Sequence, residues 1–281
     1  MSGLPLVAVV VVLASALLHA TWNLLLSRAP KGNDTTAVAT ALGLLAWTPI
    51  AVARWHVQSG VWPYVLASTA LELAYFAALN LAYAKAPAHA VYPVARGLAP
   101  ALLLPVAAVA GFSWWTGLGV LAITSGVLLT TWGEADRRSL LSAVPVAACI
   151  AGYTIVDAHG LHYADPAAYL WLVMCPVAVV LLVSRVVVHR GVGFVAPQLR
   201  GATVVLGLGV FAAYGLTLVA LSLVSVSQVP AIAALRESSI LFVLALAWLG
   251  SKSTVDRRVP TMAAAAGATL VFTGVAVLAL A

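Results

Sequence analysis

The sequence predicts an all-α polytopic membrane protein, with ten transmembrane helices forming two inverted five-helix repeats around a central cavity. Three observations carry that expectation. Of 281 residues, 63% are hydrophobic and 8% charged, whereas a soluble domain carries about 25% charged residues. The apolar residues come in blocks of about 20, each long enough to cross roughly 30 Å of hydrocarbon as a helix. The two halves of the chain also echo one another at a nearly fixed offset.

Ten spans follow from the blocks: 4–26, 36–53, 62–84, 88–110, 114–132, 139–158, 166–188, 201–223, 227–249 and 259–280. The first is too long for a signal peptide, lacks a basic leader and a small-residue cleavage site, and is expected to be retained. Turn-forming residues separate the spans, as at Pro30 to Asp34, Ser59-Gly60, Gly133 to Arg138, Gly191 to Pro197 and Ser251 to Arg258. Asp165-Pro166 is an N-cap followed by proline in the first helical position. No stretch outside the spans is large enough to be a domain, so function is expected inside the bilayer.

The repeat is clearest in the fourth and ninth spans. VYPVARGLAPALLLPVAAVAG (91–111) aligns with AIAALRESSILFVLALAWLGS (231–251), setting Arg96 on Arg236. AYFAAL (74–79) aligns with AYGLTL (213–218), setting Tyr75 on Tyr214, and ATWNLL (20–25) aligns weakly with GYTIVD (152–157), bringing Trp22 within one position of Tyr153. Residues 1–133 and 139–281 form the halves, joined by 134–138. Five spans is an odd number, so the second half enters the membrane in the opposite sense, a recurrent plan of secondary transporters with a midplane site at the repeat interface.

The net charge of +6 is not a nucleic-acid signature, because the basic residues lie in short loops without interleaved aromatics. Eleven of them lie in the loops after odd-numbered spans or, for Arg185, at the edge of one, and only Arg54 follows an even span, which places both termini outside by the positive-inside rule. Cys149 and Cys175 fall in different blocks and give no disulfide framework or metal site. No cofactor is expected.

LLHATWNLL (17–25), LAYAKAPAHAVYPVARGLAP (81–100) and ALRESSILFVLAL (234–246), with the P-x-x-R-G-x-x-P pattern of 93–100, resemble the drug/metabolite transporter superfamily, specifically its EamA-type members. The resemblance spans almost the whole chain through motifs that are superfamily-wide. It implies a basket-like bundle whose cavity is lined by helices 1, 3, 4, 6, 8 and 9, with helices 5 and 10 outside, in the bacterial cytoplasmic membrane. It implies no particular substrate, since members carry amino acids, sugars, nucleotide derivatives and drugs. Many members have both termini cytoplasmic, opposite to the charge count, and orientation stays open between the two.

Helical spacing gathers the polar residues onto stripes: Ser15, His19 and Asn23 beside Trp22; Glu72 and Tyr75, continued by Asn80 and Tyr83; His89, Tyr92 and Arg96; Cys149, Tyr153 and Asp157; Gln228, Arg236 and Ser239. A charge at the bilayer centre costs roughly 2.5–3.5 kcal/mol, so four unpaired ones would cost on the order of 10–14 kcal/mol. Arg96 and Arg236 are therefore expected to pair with Glu72 and Glu237, or to clamp an anion through a planar guanidinium, or to do both. Adjacent residues lie about 100° apart on a helix, so one of Arg236 and Glu237 should face the cavity and the other a neighbouring helix.

Glu72, Glu237 and His19 are candidates for carrying a coupling proton, the alternatives being a permanent ion pair and an interhelical hydrogen bond. Trp22, Tyr75, Tyr92, Tyr153 and Tyr214 either stack on a solute or pack the core. Gln228 and Asn23 are further candidate contacts. Asp157 is read as a solvated residue at a helix mouth or a ligand of the last turn. Pro93, Pro100 and Pro105 should bend the fourth helix, with Pro230 similarly placed in the ninth.

The expected function is movement of a small anionic or zwitterionic metabolite, of amino acid or organophosphate class, by alternating access, with export favoured. A lipid or lipid-linked-carrier flippase on the same fold is the alternative. The expected partners are the solute, the bilayer and a proton or counter-substrate, with the chain a monomer or homodimer. No nucleotide-binding motif, G-x-S-x-G elbow or H-E-x-x-H zinc motif is present, so neither ATP coupling nor intramembrane enzymology is expected.

Overall fold

The computed structural model describes residues 3–25, 32–111, 113–130, 136–250 and 262–280, without the side chains of 22–25, 88–89, 244 and 246–250. Eleven helices run through the described residues: α1 (Leu6–Leu25), α2 (Asn33–Ala53), α3 (Trp62–Lys85), α4 (Ala88–Val109), α5 (Trp114–Thr130), α6 (Arg137–Gly160), α7 (Pro166–His189), α8 (Gly201–Ser222), α9 (Val229–Arg236), α10 (Ser239–Gly250) and α11 (Met262–Leu280). Among the described residues, eight helical segments are long and apolar enough to cross a membrane, and Leu6–Thr21 and Trp114–Thr130 are shorter apolar helices. The chain is an all-α polytopic membrane protein.

Local chemistry sets the boundaries. The Asp165 carboxylate accepts from the Ala167 amide at 2.9 Å, and Pro166 opens α7. Asp136 accepts from the Ser139 amide and hydroxyl at 2.8 and 2.7 Å, starting α6 two residues before its expected 139. α2 begins at Asn33 rather than 36, with Asp34 in the first turn, where the helix dipole favours a negative charge.

The ninth span departs most from expectation. In place of one helix over 227–249, α9 and α10 are separated at Glu237-Ser238. There the amides of Glu237 and Ser238 bond three residues back, to the carbonyls of Ala234 and Leu235 at 2.9 and 3.1 Å. The tightened turn falls where Glu237 is gripped by α4, described below.

Contacts between helices use small residues to bring backbones close, as expected where lipid supplies no hydrophobic drive for helix association. α2 and α8 cross at Gly43 and Gly207, and a Cβ on Gly207 would strike the Ala39 carbonyl. α5 and α11 run antiparallel, with Gly126 against Gly267 and Gly119 against Gly274 and Leu278. α2 and α7 are also antiparallel and are tied at both ends by ion pairs. At one end Arg185 and His189 meet Asp34 at 2.6 and 3.0 Å, and at the other Arg54 meets Asp165 at 2.9 Å. Between them Trp47 donates to the Ala167 carbonyl and Trp171 to Thr48.

Tyr169, Phe211, Leu103, Ile232 and Leu235 are fully buried between these helices. Leu6, Leu45, Leu66, Val109, Val183 and Phe272 are exposed on the outside, as lipid-facing positions should be.

Gly207→Val forces a branched side chain into the α2 backbone. It should destabilise the protein by about 1–3 kcal/mol or more, as overpacking does, visible as a lowered melting temperature in detergent.

Candidate functional site: a charged cavity in the bundle

Arg96 lies on the buried face of α4, one turn beyond Tyr92. Its Nε and Nη2 donate to the two carboxylate oxygens of Glu237 at 2.7 and 2.9 Å, a bidentate pair across α4 and the α9–α10 turn. Its Nη1 bonds His19 Nε2 at 2.6 Å and donates to the Tyr92 hydroxyl at 3.1 Å. A guanidinium can only donate, so His19 Nε2 is the acceptor and carries no proton. Arg96 and Glu237 are 9% and 5% exposed, burial that such a pair tolerates only with its remaining hydrogen-bonding groups satisfied.

Arg236 approaches the same carboxylate more loosely. Its Nε stands 3.6 Å from Glu237 Oε1, an ionic contact beyond hydrogen-bond length, and this buried nitrogen has no hydrogen-bond acceptor. Two guanidiniums thus share one carboxylate, with Tyr153 and the more distant Glu72 also acting on Arg236.

The Arg236 side of the cluster is a cavity wall. A cavity of about 220 Å³ is lined by Arg236, Arg96, His19 and Tyr92, by Glu72, Tyr75, Tyr153 and Tyr214, and by Ser15 and Thr217. Ser15 also donates to the Ala213 carbonyl at 2.7 Å and meets Thr217 at 3.0 Å, holding α1 to α8. Tyr75 meets Tyr153 edge-on at 6.2 Å, and Tyr153 is 6.2 Å from Tyr214. Phe76, Met174, Leu206 and Val210 supply an apolar portion of the wall.

Eight sequence-predicted residues meet here: Arg96, Arg236, Glu72, Tyr75, Tyr92, His19, Tyr153 and Tyr214. Glu237 is within the arginine cluster but off the cavity wall, while Arg236 is on it. The side chains of Trp22 and Asn23, and of His89, lie outside the described residues.

Gln228 does not join the cavity. It closes a capping box on Ser225 and reaches the Gly3 carbonyl at 3.4 Å, because a single helical turn over Val226–Gln228 precedes α9 and keeps it at the mouth of the bundle.

Two expectations are corrected. Asp157 is not solvated: it is 0% exposed and accepts from Ser68 at 2.5 Å, Tyr169 at 3.0 Å and Tyr214 at 2.6 Å. These donors come from three other helices and cover the last turn of α6, so a position near a helix end is not a position near water. Glu72 is not paired with Arg96, which Glu237 occupies. It lies beside Tyr214 and within the field of Asp157 and Arg236.

α2 and α7 also contribute, through Thr36, Ala39, Thr40 and Met174, beyond the six helices that the family resemblance implies. These residues carry no charge to draw notice in the sequence; the run of threonines opening α2 was the only hint.

No family model matches the chain, and no curated protein matches it. A solved structure, described only as the crystal structure of a protein, superposes with a TM-score of 0.76. The match covers 97% of each chain at 19% sequence identity. The fold is therefore a known one.

Removing one partner of a buried ion pair strands the other, at about 3–5 kcal/mol. Glu237→Ala should therefore destabilise the protein more than the double substitution Arg96→Met/Glu237→Leu. Melting temperatures of both variants in the same detergent check the order.

Proposed function

We propose that the protein is a secondary transporter that moves a small anionic or zwitterionic metabolite, of amino acid or organophosphate class, by alternating access. The observation that carries this reading is the Arg236 side chain. It stands on the cavity wall with its buried Nε unsatisfied, beside a carboxylate already held by Arg96. A planar guanidinium in that state is suited to a carboxylate or phosphate. At about 220 Å³ the cavity lies below the usual 300–1,000 Å³ range of ligand pockets, which favours a small solute.

We further infer ten crossings, with α9 and α10 together making the ninth, as two inverted five-helix halves of the EamA-type drug/metabolite transporter plan. The alignment of Arg96 with Arg236 supports it. So does the break at Glu237-Ser238, since discontinuous helices at a midplane site recur in transporters. On this reading the protein resides in a bacterial cytoplasmic membrane, exports its solute and is not an enzyme. The absence of any nucleotide-binding motif leaves an ion gradient, exchange or downhill flow as the energy source.

The test is uptake by proteoliposomes of a panel of amino acids, organophosphates and sugars, with and without a pH gradient. Arg236→Ala should lower uptake of the accepted solute about ten- to a hundredfold, the loss of one charged hydrogen-bonding group. Expression should be little affected, because Arg96 and Glu237 still neutralise each other. Arg236→Lys should recover only part of the activity, lacking the planar fork. Transport unchanged in Arg236→Ala would exclude the anion-clamp role.

A further inference from the structure

Asp157 stands apart from the arginine cluster. Its carboxylate accepts three hydroxyls, from Ser68 of α3, Tyr169 of α7 and Tyr214 of α8, so one side chain of α6 gathers three other helices. The charged groups acting on it from those elements are Glu72 of α3 and, from α9, Arg236. His159, on its own helix, is turned to the Ile155 carbonyl and the Tyr64 ring.

The Asp157 knot lies at one end of the bundle. Gly160 ends α6 three residues later, and its lack of a side chain admits the Tyr169 ring. The loops at this end are stitched together: Val57 and Ala164 form an antiparallel bridge, Gln58 donates to the Tyr163 carbonyl and Asp165 to the His56 carbonyl. The cavity instead reaches toward the opposite end, where Thr36 and Thr40 lie in the first turns of α2 and Leu206 and Val210 near the start of α8. Tyr214 connects the two regions, since it lines the cavity beside Glu72 while donating to Asp157.

We propose that Asp157 is a proton-binding site whose ionised form holds this end of the bundle shut, and that Tyr214 relays its state to Glu72 in the cavity. All three bonds are charge-assisted while the carboxylate is ionised, and they weaken when it takes a proton. A proton taken from water adds to Oδ2, and the new O–H donates to the Tyr214 oxygen. The tyrosine hydrogen then rotates to the Glu72 carboxylate, with no covalent bond of tyrosine broken and one negative charge lost from the site. The Ser68 and Tyr169 bonds lose their charge assistance, the Tyr214 bond is reversed, and the Asp157 end loosens. This deepens the transporter reading, on which it rests: it names the proton as coupling ion and Asp157 as its acceptor. It also sets aside His19 and Glu237, which Arg96 occupies.

The test is a distance measurement in detergent or nanodiscs on the full chain. Cys149 and Cys175 are replaced by alanine, and spin labels are attached at Gln58→Cys and His162→Cys on the two stitched loops. From mildly alkaline to mildly acidic pH, a longer label–label separation should grow in. In Asp157→Asn the longer separation should be present at every pH. Tyr214→Phe and Ser68→Ala should each displace the pH midpoint, and they serve if Asp157→Asn fails to fold. A separation that ignores pH overturns the proposal. So does one that changes equally in Asp157→Asn, which would assign the effect to the exposed histidines, and so do unmoved midpoints in the other two variants. No transported solute enters the measurement, so it and the uptake assay can fail separately.

Discussion

The bidentate contact between Arg96 and Glu237 is the constraint around which the bundle is organised. It fixes α4 against the α9–α10 turn, and through Nη1 it draws in His19 of α1 and the Tyr92 hydroxyl. Three separate stretches of chain are thereby positioned by a single guanidinium. Because the carboxylate is fully engaged on its Arg96 side, Arg236 is left with a partial share. In the proposed transport role, that partial share lets Arg236 meet a solute at the cavity wall.

The polar groups divide into two neighbourhoods with different chemistry. Around Arg96 and Arg236 the donors are charged, and among the described residues one carboxylate is the only charged acceptor bonded by Arg96, beside His19 and Tyr92. Around Asp157 the acceptor is again one carboxylate, but the donors are neutral hydroxyls. Tyr153 and Tyr214 stand between the two, near enough in the ring-to-ring sense to respond together.

Much of this was legible in the sequence, for identifiable reasons. Arg96 and Arg236 announced themselves because charge within an apolar run is expensive, and the helical spacing of Tyr92 with Arg96 fixed a shared face. The pairing of Arg96 with Glu237 in place of Glu72 was not legible, because it depends on how α4 crosses α9. The same holds for Asp157: its position in the last turn of α6 suggested water, and only the arrival of Ser68 and Tyr169 from distant helices removed it. The broken ninth span carries no proline or glycine at the break, so no local signal marked it. The capping role of Gln228 was within reach, since Ser225 precedes it at capping-box spacing.

The ion pairs that tie α2 to α7 have a consequence for how the protein sits in its surroundings. Asp34 and Arg54 stand at opposite ends of one helix, each bonded to a group on α7. Twenty residues of helix separate them, which at 1.5 Å per residue is about 30 Å, the thickness of the hydrocarbon layer. Each pair thus falls at headgroup depth, and sinking or tilting α2 appreciably would drag one of them into oil. The spacing of the two ion pairs therefore matches the thickness of the hydrocarbon layer, so burial of either pair opposes displacement of α2 along the membrane normal.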